Sequence, residues 1–201
     1  MTMIKLGITG GIGCGKSYVA AIMAARGIPV YDSDSNAKRL MSSDAGLRDR
    51  LKFLVGDNVY NSDGKLNRGL LASYIFADET CRHNVESAVH PAVKNDFLRW
   101  ADSIDGYDFC LFESAILFES GFQECVDFSV TVDAPLELRI QRCMERDGVE
   151  RETVLQRIAS QMSQDEKVRL ADYVIVNDNI SDLSVQIDEM IDKCKITFKR
   201  K

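Results

Sequence analysis

The chain has 201 residues, 45% hydrophobic and 28% charged, which suits one domain with a sizeable core plus inserted subregions and excludes a wholly disordered chain. Its net charge of −6, from 25 basic and 31 acidic residues, speaks against a protein that coats nucleic acid, while a few cations gathered in one cleft can still hold an anionic small molecule. Six cysteines without a C-x-x-C pair, two histidines and no apolar run near the ~18 residues of a membrane span point to free thiols in a reducing cytoplasm, with no zinc site and no membrane role.

Residues 4–9 read as a short buried strand that follows directly on Met1, with no secretory signal ahead of it, and runs into glycines. Residues 16–26 read as a helix, with Gly27 as its stop, and 28–31 as a second strand. This βαβ opening predicts a parallel sheet with helices on both faces. From 36 to 102 strand signals nearly vanish. Helical segments are expected at 37–41, 46–54, 68–76 and 78–100, with Pro91 breaking or kinking the last and Asn61-Ser62-Asp63-Gly64 forming a turn. Strands return at 109–113, 128–132 and 173–176, giving five in all. Pro135 opens a helix to 146, residues 149–170 are helical and heavily charged, and a last helix starts near Ser181 or Asp182 before a solvated tail at Lys199-Arg200-Lys201.

Gly10-Gly11-Ile12-Gly13-Cys14-Gly15-Lys16-Ser17 fits the G-x-x-x-x-G-K-[ST] phosphate loop, between a strand and a helix as that motif requires. Glycines allow successive N–H groups to face one anion, and the helix N-terminus adds partial positive charge. Lys16 is expected on the β- and γ-phosphates and Ser17 on Mg²⁺. Cys14 reads either as a thiol activated by the helix terminus or as a small filler. The absence of an Asn-Lys-x-Asp segment, with Asn177-Asp178-Asn179 in its place, favours ATP over GTP.

The other candidates each have two readings. Asp32 and Asp34 end the second strand, where one can accept the proton of an attacking hydroxyl, or both can cap the next helix. Glu113 ends the third strand, in place to hold a metal ion, and Glu119 follows soon after. Arg139, Arg142 and Arg146 share one helix face and Arg157 and Gln161 another: a cationic lid over the transferred phosphoryl group, or a solvated face paired with Glu145, Glu150 and Glu152. No serine–histidine–aspartate set is suggested, so a covalent enzyme intermediate is not expected.

Taken in order, these motifs resemble the dephospho-CoA kinase family. The resemblance rests on 7–17, Asp32-Ser33-Asp34, His90-Pro91, Ala115-Ile116-Leu117-Phe118-Glu119, Arg142, Arg146-Asp147, Arg157, Gln161 and Asp172-Tyr173-Val174-Ile175-Val176-Asn177. Cys14, Ala115 and Val176 stand where that family commonly has serine, proline and aspartate. The resemblance implies a three-layer P-loop NTPase core at 1–35 and 103–201, a helical CoA-binding insert at 36–102 and a lid at 147–167. It implies transfer of the ATP γ-phosphoryl group to the ribose 3'-hydroxyl of dephospho-CoA, with Mg²⁺, by a monomer or at most a weak homo-oligomer. Asp34 would be the base, and Lys16 and Arg142 would stabilise the transferring group. The P-loop from Gly11 to Ser17, with Arg146 and Asn177, would hold ATP. Asp32, His90 and Glu119 would face the acceptor, Arg157 and Gln161 would belong to the lid, and Ser17 and Glu113 would meet the metal. Another small-molecule or nucleotide kinase, or a nucleotide-gated binding module without catalysis, are the alternatives.

Overall fold

The computed structural model of the chain describes residues 3–199; Met1 and Thr2 at the start, and Arg200 and Lys201 of the expected tail, lie outside them. Its elements in chain order begin β1 (Ile4–Thr9), α1 (Lys16–Ala25), β2 (Val30–Asp32), α2 (Ser33–Ser43), α3 (Ala45–Val55), α4 (Arg68–Ile75) and α5 (Glu79–Ser103). They continue β3 (Phe109–Glu113), β4 (Phe128–Asp133), α6 (Leu136–Asp147), α7 (Arg151–Ala159), α8 (Gln164–Leu170), β5 (Tyr173–Val176) and α9 (Leu183–Lys199). Two compact units result: Met1–Tyr31 with Ile104–Lys201, and Asp32–Ser103.

The first unit is an α/β fold on a five-stranded parallel sheet, in the order β2-β3-β1-β4-β5. Its strands are short runs of apolar and β-branched residues, and β3 is buried throughout, as a sheet covered on both faces demands. On one face Leu6, Ile8, Val130, Val132 and Ile175 pack against Val19 and Met23 of α1 and against Ile187, Met190 and Cys194 of α9. Each such side chain contributes about 1.5–3 kcal/mol of burial. Elsewhere Tyr31 stacks on Phe112 at 5.7 Å, and Phe112 meets Phe122 edge-on at 5.1 Å. The register pairs Ile8 with Glu113, so β1 and β3 finish side by side. That places the start of the P-loop beside the last residue of β3.

In the second unit α2, α3 and α4 pack on α5, whose Val85, Val89, Val93, Phe97 and Ala101 form a buried stripe at helical spacing. Local caps start three of these helices. Asp32 accepts from the N–H groups of Asp34 and Ser35, Asp44 from that of Leu47 and Asn67 from that of Leu70. The expected turn closes with Gly64 N–H donating to Asn61 O at 2.8 Å.

Four local expectations are corrected. β2 begins at Val30 rather than 28, because the Ile28 N–H still donates to Met23 O, closing α1 around Gly27 at φ 84°. Pro91 does not end its helix: α5 runs through it, since one lost backbone donor is outweighed by a stripe buried on both sides. Pro135 is the N-cap of α6 instead of its first turn. The charged stretch 149–170 is two helices, because Ser163 and Glu166 form a reciprocal capping box that starts α8.

Candidate active site

The turn between β1 and α1 has the conformation its glycines permit: Gly13 and Gly15 lie at φ 80° and 87°. A side chain at Gly15 would also strike the Asn177 amide. No side chain caps α1 and its first turn carries no acidic residue, so its N-terminal N–H groups face a prospective anion uncompensated. Cys14 is buried, and burial pushes its thiol up despite the opposing Lys16 N–H, Arg139 and Lys16.

Lys16, Ser17 and Glu113 converge. The Lys16 ammonium and the Ser17 hydroxyl both donate to Glu113 Oε1, each at 2.6 Å. Glu113 is buried, and its carboxylate is fixed by charge-assisted bonds to these two P-loop residues. Ser17 Oγ and the Glu113 carboxylate are hard oxygen donors, suited to Mg²⁺. Among the described residues no group of three or more His, Cys, Asp or Glu forms a metal cage.

The polar backbone atoms at the tip of the P-loop are gripped from far along the chain. Gly11 N–H donates to Gln164 Oε1 at 2.9 Å and Ile12 N–H to Gln161 Oε1 at 3.0 Å. Ile12 O accepts from Arg139 Nε at 3.0 Å, and Cys14 O from Asn177 Nδ2 at 2.9 Å. The Ile12 side chain packs with Val149, Leu155 and Ile158 against Ile140, Cys143 and Val154 of α6 and α7.

The three arginines of α6 therefore part company. Arg139 is buried, 4% exposed, under the loop. Arg142 lies beside Gly13 and Cys14 and donates to Asn179 Oδ1 at 2.5 Å and to Asn177 Oδ1 at 3.3 Å. Arg146 forms a forked pair with Asp147 at 2.7 and 3.0 Å, and Arg157 of α7 reaches the same carboxylate at 2.8 Å. These bonds, Arg146 foremost, hold the Asp147 carboxyl below its usual range. Asn177, buried, also lines an open pocket of about 430 Å³ with Tyr18, Ile22, Asn179 and the residues that start α9. The Glu119 carboxylate is taken by Lys167 at 2.5 Å and by the Met162 N–H at 3.3 Å.

In the second unit Asp32 is the N-cap of α2, also accepting from Ser35 Oγ at 2.6 Å, while Asp34, in the first turn of the same helix, is exposed. His90, half-buried on α5, is held below its ordinary value by burial, partly offset by Glu86. Sequence reasoning missed Gln164 and Lys167 and the inward role of Arg139. The Ser163-Gln164-Asp165-Glu166 capping box was the one legible signal for that region. Reading 149–170 as continuous helix concealed it.

Residues 4–182 match the dephospho-CoA kinase family model. The chain is 47% identical over 188 residues to a dephospho-CoA kinase of Bacteroides fragilis, covering 94% of this chain and 91% of that one. A solved Thermus thermophilus protein superposes with a TM-score of 0.82 at 32% identity, over 95% and 97% of the two chains. The fold is also that of a dephospho-CoA kinase from Campylobacter jejuni, with a TM-score of 0.69 at 24% identity over 98% of each chain. With its P-loop, Glu113 and arginine-bearing helices inside the matched span, this chain belongs to the dephospho-CoA kinase family.

Proposed function

We propose that the chain transfers the γ-phosphoryl group of ATP to the ribose 3'-hydroxyl of dephospho-CoA, giving CoA and ADP in the last step of coenzyme A synthesis. The observation that carries this reading is the convergence of Lys16 and Ser17 on Glu113 beside an uncapped helix N-terminus, inside the span matched by the family. Within the P-loop from Gly11 to Ser17, the N–H groups of Gly13, Gly15, Lys16 and Ser17 would cradle the phosphates, those of Gly11 and Ile12 being engaged by Gln164 and Gln161, and Lys16 would follow the charge that grows on the β–γ bridge. Arg142 would add a cation at the transferring group and Arg146 one at the donor phosphates. The adenine would occupy the pocket bounded by Tyr18 and Asn177.

Ser17 Oγ and Glu113 would hold Mg²⁺, which when bound neutralises charge shared between the β- and γ-phosphates. Asp34 would accept the proton of the attacking hydroxyl, a role its exposed carboxylate leaves open. Asp32, His90 and Glu119 would face the acceptor, which the insert at 36–102 would receive. Residues 147–167, with Arg157 and Gln161, would act as a lid that excludes water. We place the enzyme in the cytoplasm as a monomer or weak homo-oligomer; among the described residues no helix is long and apolar enough to cross a membrane.

The test is product mass after incubation with ATP, Mg²⁺ and dephospho-CoA, with adenosine and nucleoside monophosphates as rival acceptors. CoA formation is expected, and product from a rival acceptor alone would overturn the substrate. Asp34→Asn should lower turnover by about 10²–10⁴-fold with ATP affinity nearly intact. Normal turnover in that variant would remove Asp34 as the base.

A further inference from the structure

The joint between α7 and α8 touches two loops at once. On one side Gln164 uses both ends of its amide: Oε1 accepts from Gly11 N–H at 2.9 Å, and Nε2 donates to Val132 O at 3.0 Å. The first turn of the P-loop is thereby tied to the end of β4. On the other side, one helical turn along, the Lys167 ammonium donates to Ala115 O at 2.6 Å and to Glu119 Oε1 at 2.5 Å. Those two oxygens belong to the first and last residues of the loop Ala115–Glu119, which follows Glu113 and Ser114. The Met162 N–H, which also donates to Glu119, adds a third bond from the joint to this loop. Lys167 O in turn accepts from Thr131 Oγ1 at 3.1 Å, so the residue is also fastened to β4 through its backbone.

Lys167 is 0% exposed. Burying an ammonium group is costly, and an apolar side chain of similar length would fill the same space at least as well. What the charge adds is a fixed position for two specific oxygens. We infer that Lys167 and Gln164 are positioning residues for phosphoryl transfer: from one helix start they hold the loop after β3 and the P-loop in a single register. The inference rests on the proposed function, in which the P-loop carries the donor and Glu119, the last residue of the loop Ala115–Glu119, faces the acceptor.

The chemistry says what loss of register does. In the productive step the acceptor oxygen forms a bond to the γ-phosphorus as the bond to the β–γ bridging oxygen breaks; ADP leaves and the hydroxyl proton passes to the base. If the acceptor oxygen is out of line, water can attack the same phosphorus, giving ADP and inorganic phosphate without CoA. The ratio of ADP formed to CoA formed therefore reports alignment. Protein that is merely less stable loses both products in proportion, and the ratio stays where it was.

The experiment measures ADP and CoA in the same reaction for the wild type, Lys167→Met and Gln164→Met. A ratio near one is expected for the wild type and a rise of about threefold or more in each variant, since small misplacements of reacting groups have large effects on rate. Gln164 is only partly buried, so its variant decides the matter if Lys167→Met does not fold. Unchanged ratios, with both rates following the folded fraction, would reduce these residues to structural ones and overturn the inference. A wild type that forms no CoA would instead overturn the proposed function.

Discussion

At the P-loop, Gly11, Ile12 and Cys14 are bonded by Gln164, Gln161, Arg139 and Asn177, partners 127 to 163 positions away. In Asp32–Ser103 the helices are begun by residues adjacent to them, Asp32, Asp44 and Asn67, and are then laid on α5. The first region is held by distant polar contacts, so its geometry exists only once the sheet has formed. The second is built from local caps and one buried stripe, so much of it is specified before any long-range contact. A loop that must aim several N–H groups at one anion needs the first kind of support. Helices that offer a surface need only the second.

Separate substitutions can sharpen this contrast. The largest effect is expected from Lys16→Ala, which should reduce CoA formation per folded molecule by about 10³-fold, as loss of a cation at a transferring phosphoryl group does. A loss no greater than the fall in folded protein would show that Lys16 supports Glu113 rather than the reaction. Next comes Phe97→Ala, at a fully buried position of α5. It should cost about 3 kcal/mol or more, read as a fall in the denaturant midpoint. Nucleotide affinity per folded molecule should stay within about twofold. A larger change in affinity would mean that the two regions are not held independently.

The smallest effect is a pH dependence. Burial keeps the His90 imidazole below its ordinary value of 6.5, His83 acting in the same direction and Glu86 against it. The unfolded chain therefore takes up a proton near pH 6.5 that the folded chain binds only at lower pH. The contribution of neutral His90 is full above 6.5 and is lost as pH falls from there through the lower folded value, with a slope of at most about 1.4 kcal/mol per pH unit. His90→Gln should flatten this acid limb of the midpoint-versus-pH curve. An unaltered slope would assign the titration to another group.

Much of this architecture was legible beforehand because its signals are local. The runs 4–9, 109–113 and 173–176 coincide with β1, β3 and β5, since each is a short apolar stretch with a turn beyond it. The P-loop declared itself by composition, and Glu113 by its place at a strand end. Arg139 did not: on a helical wheel it equals Arg142 and Arg146, and only the fold reveals that one is buried, one lies beside the loop and one is paired in the open. Gln164 and Lys167 carried no motif of their own. Their partners are backbone atoms and a carboxylate on other elements, which spacing along the chain cannot disclose. Asp32 shows the opposite limit: its two readings were equally legible, and the local one, the helix cap, is the one the structure displays.

The Ile12 side chain has a bearing on how the motif itself is understood. A phosphate-loop pattern leaves this position open, as though any residue would serve. In this chain it is packed against Ile140, Cys143 and Val154 of α6 and α7, and so acts as a key cut for one lock. A loop carrying a different side chain here, with every motif letter intact, would arrive with the wrong key. Interchange of parts within the family should therefore succeed when the loop and the α6–α7 helices travel together, and falter when the loop travels alone.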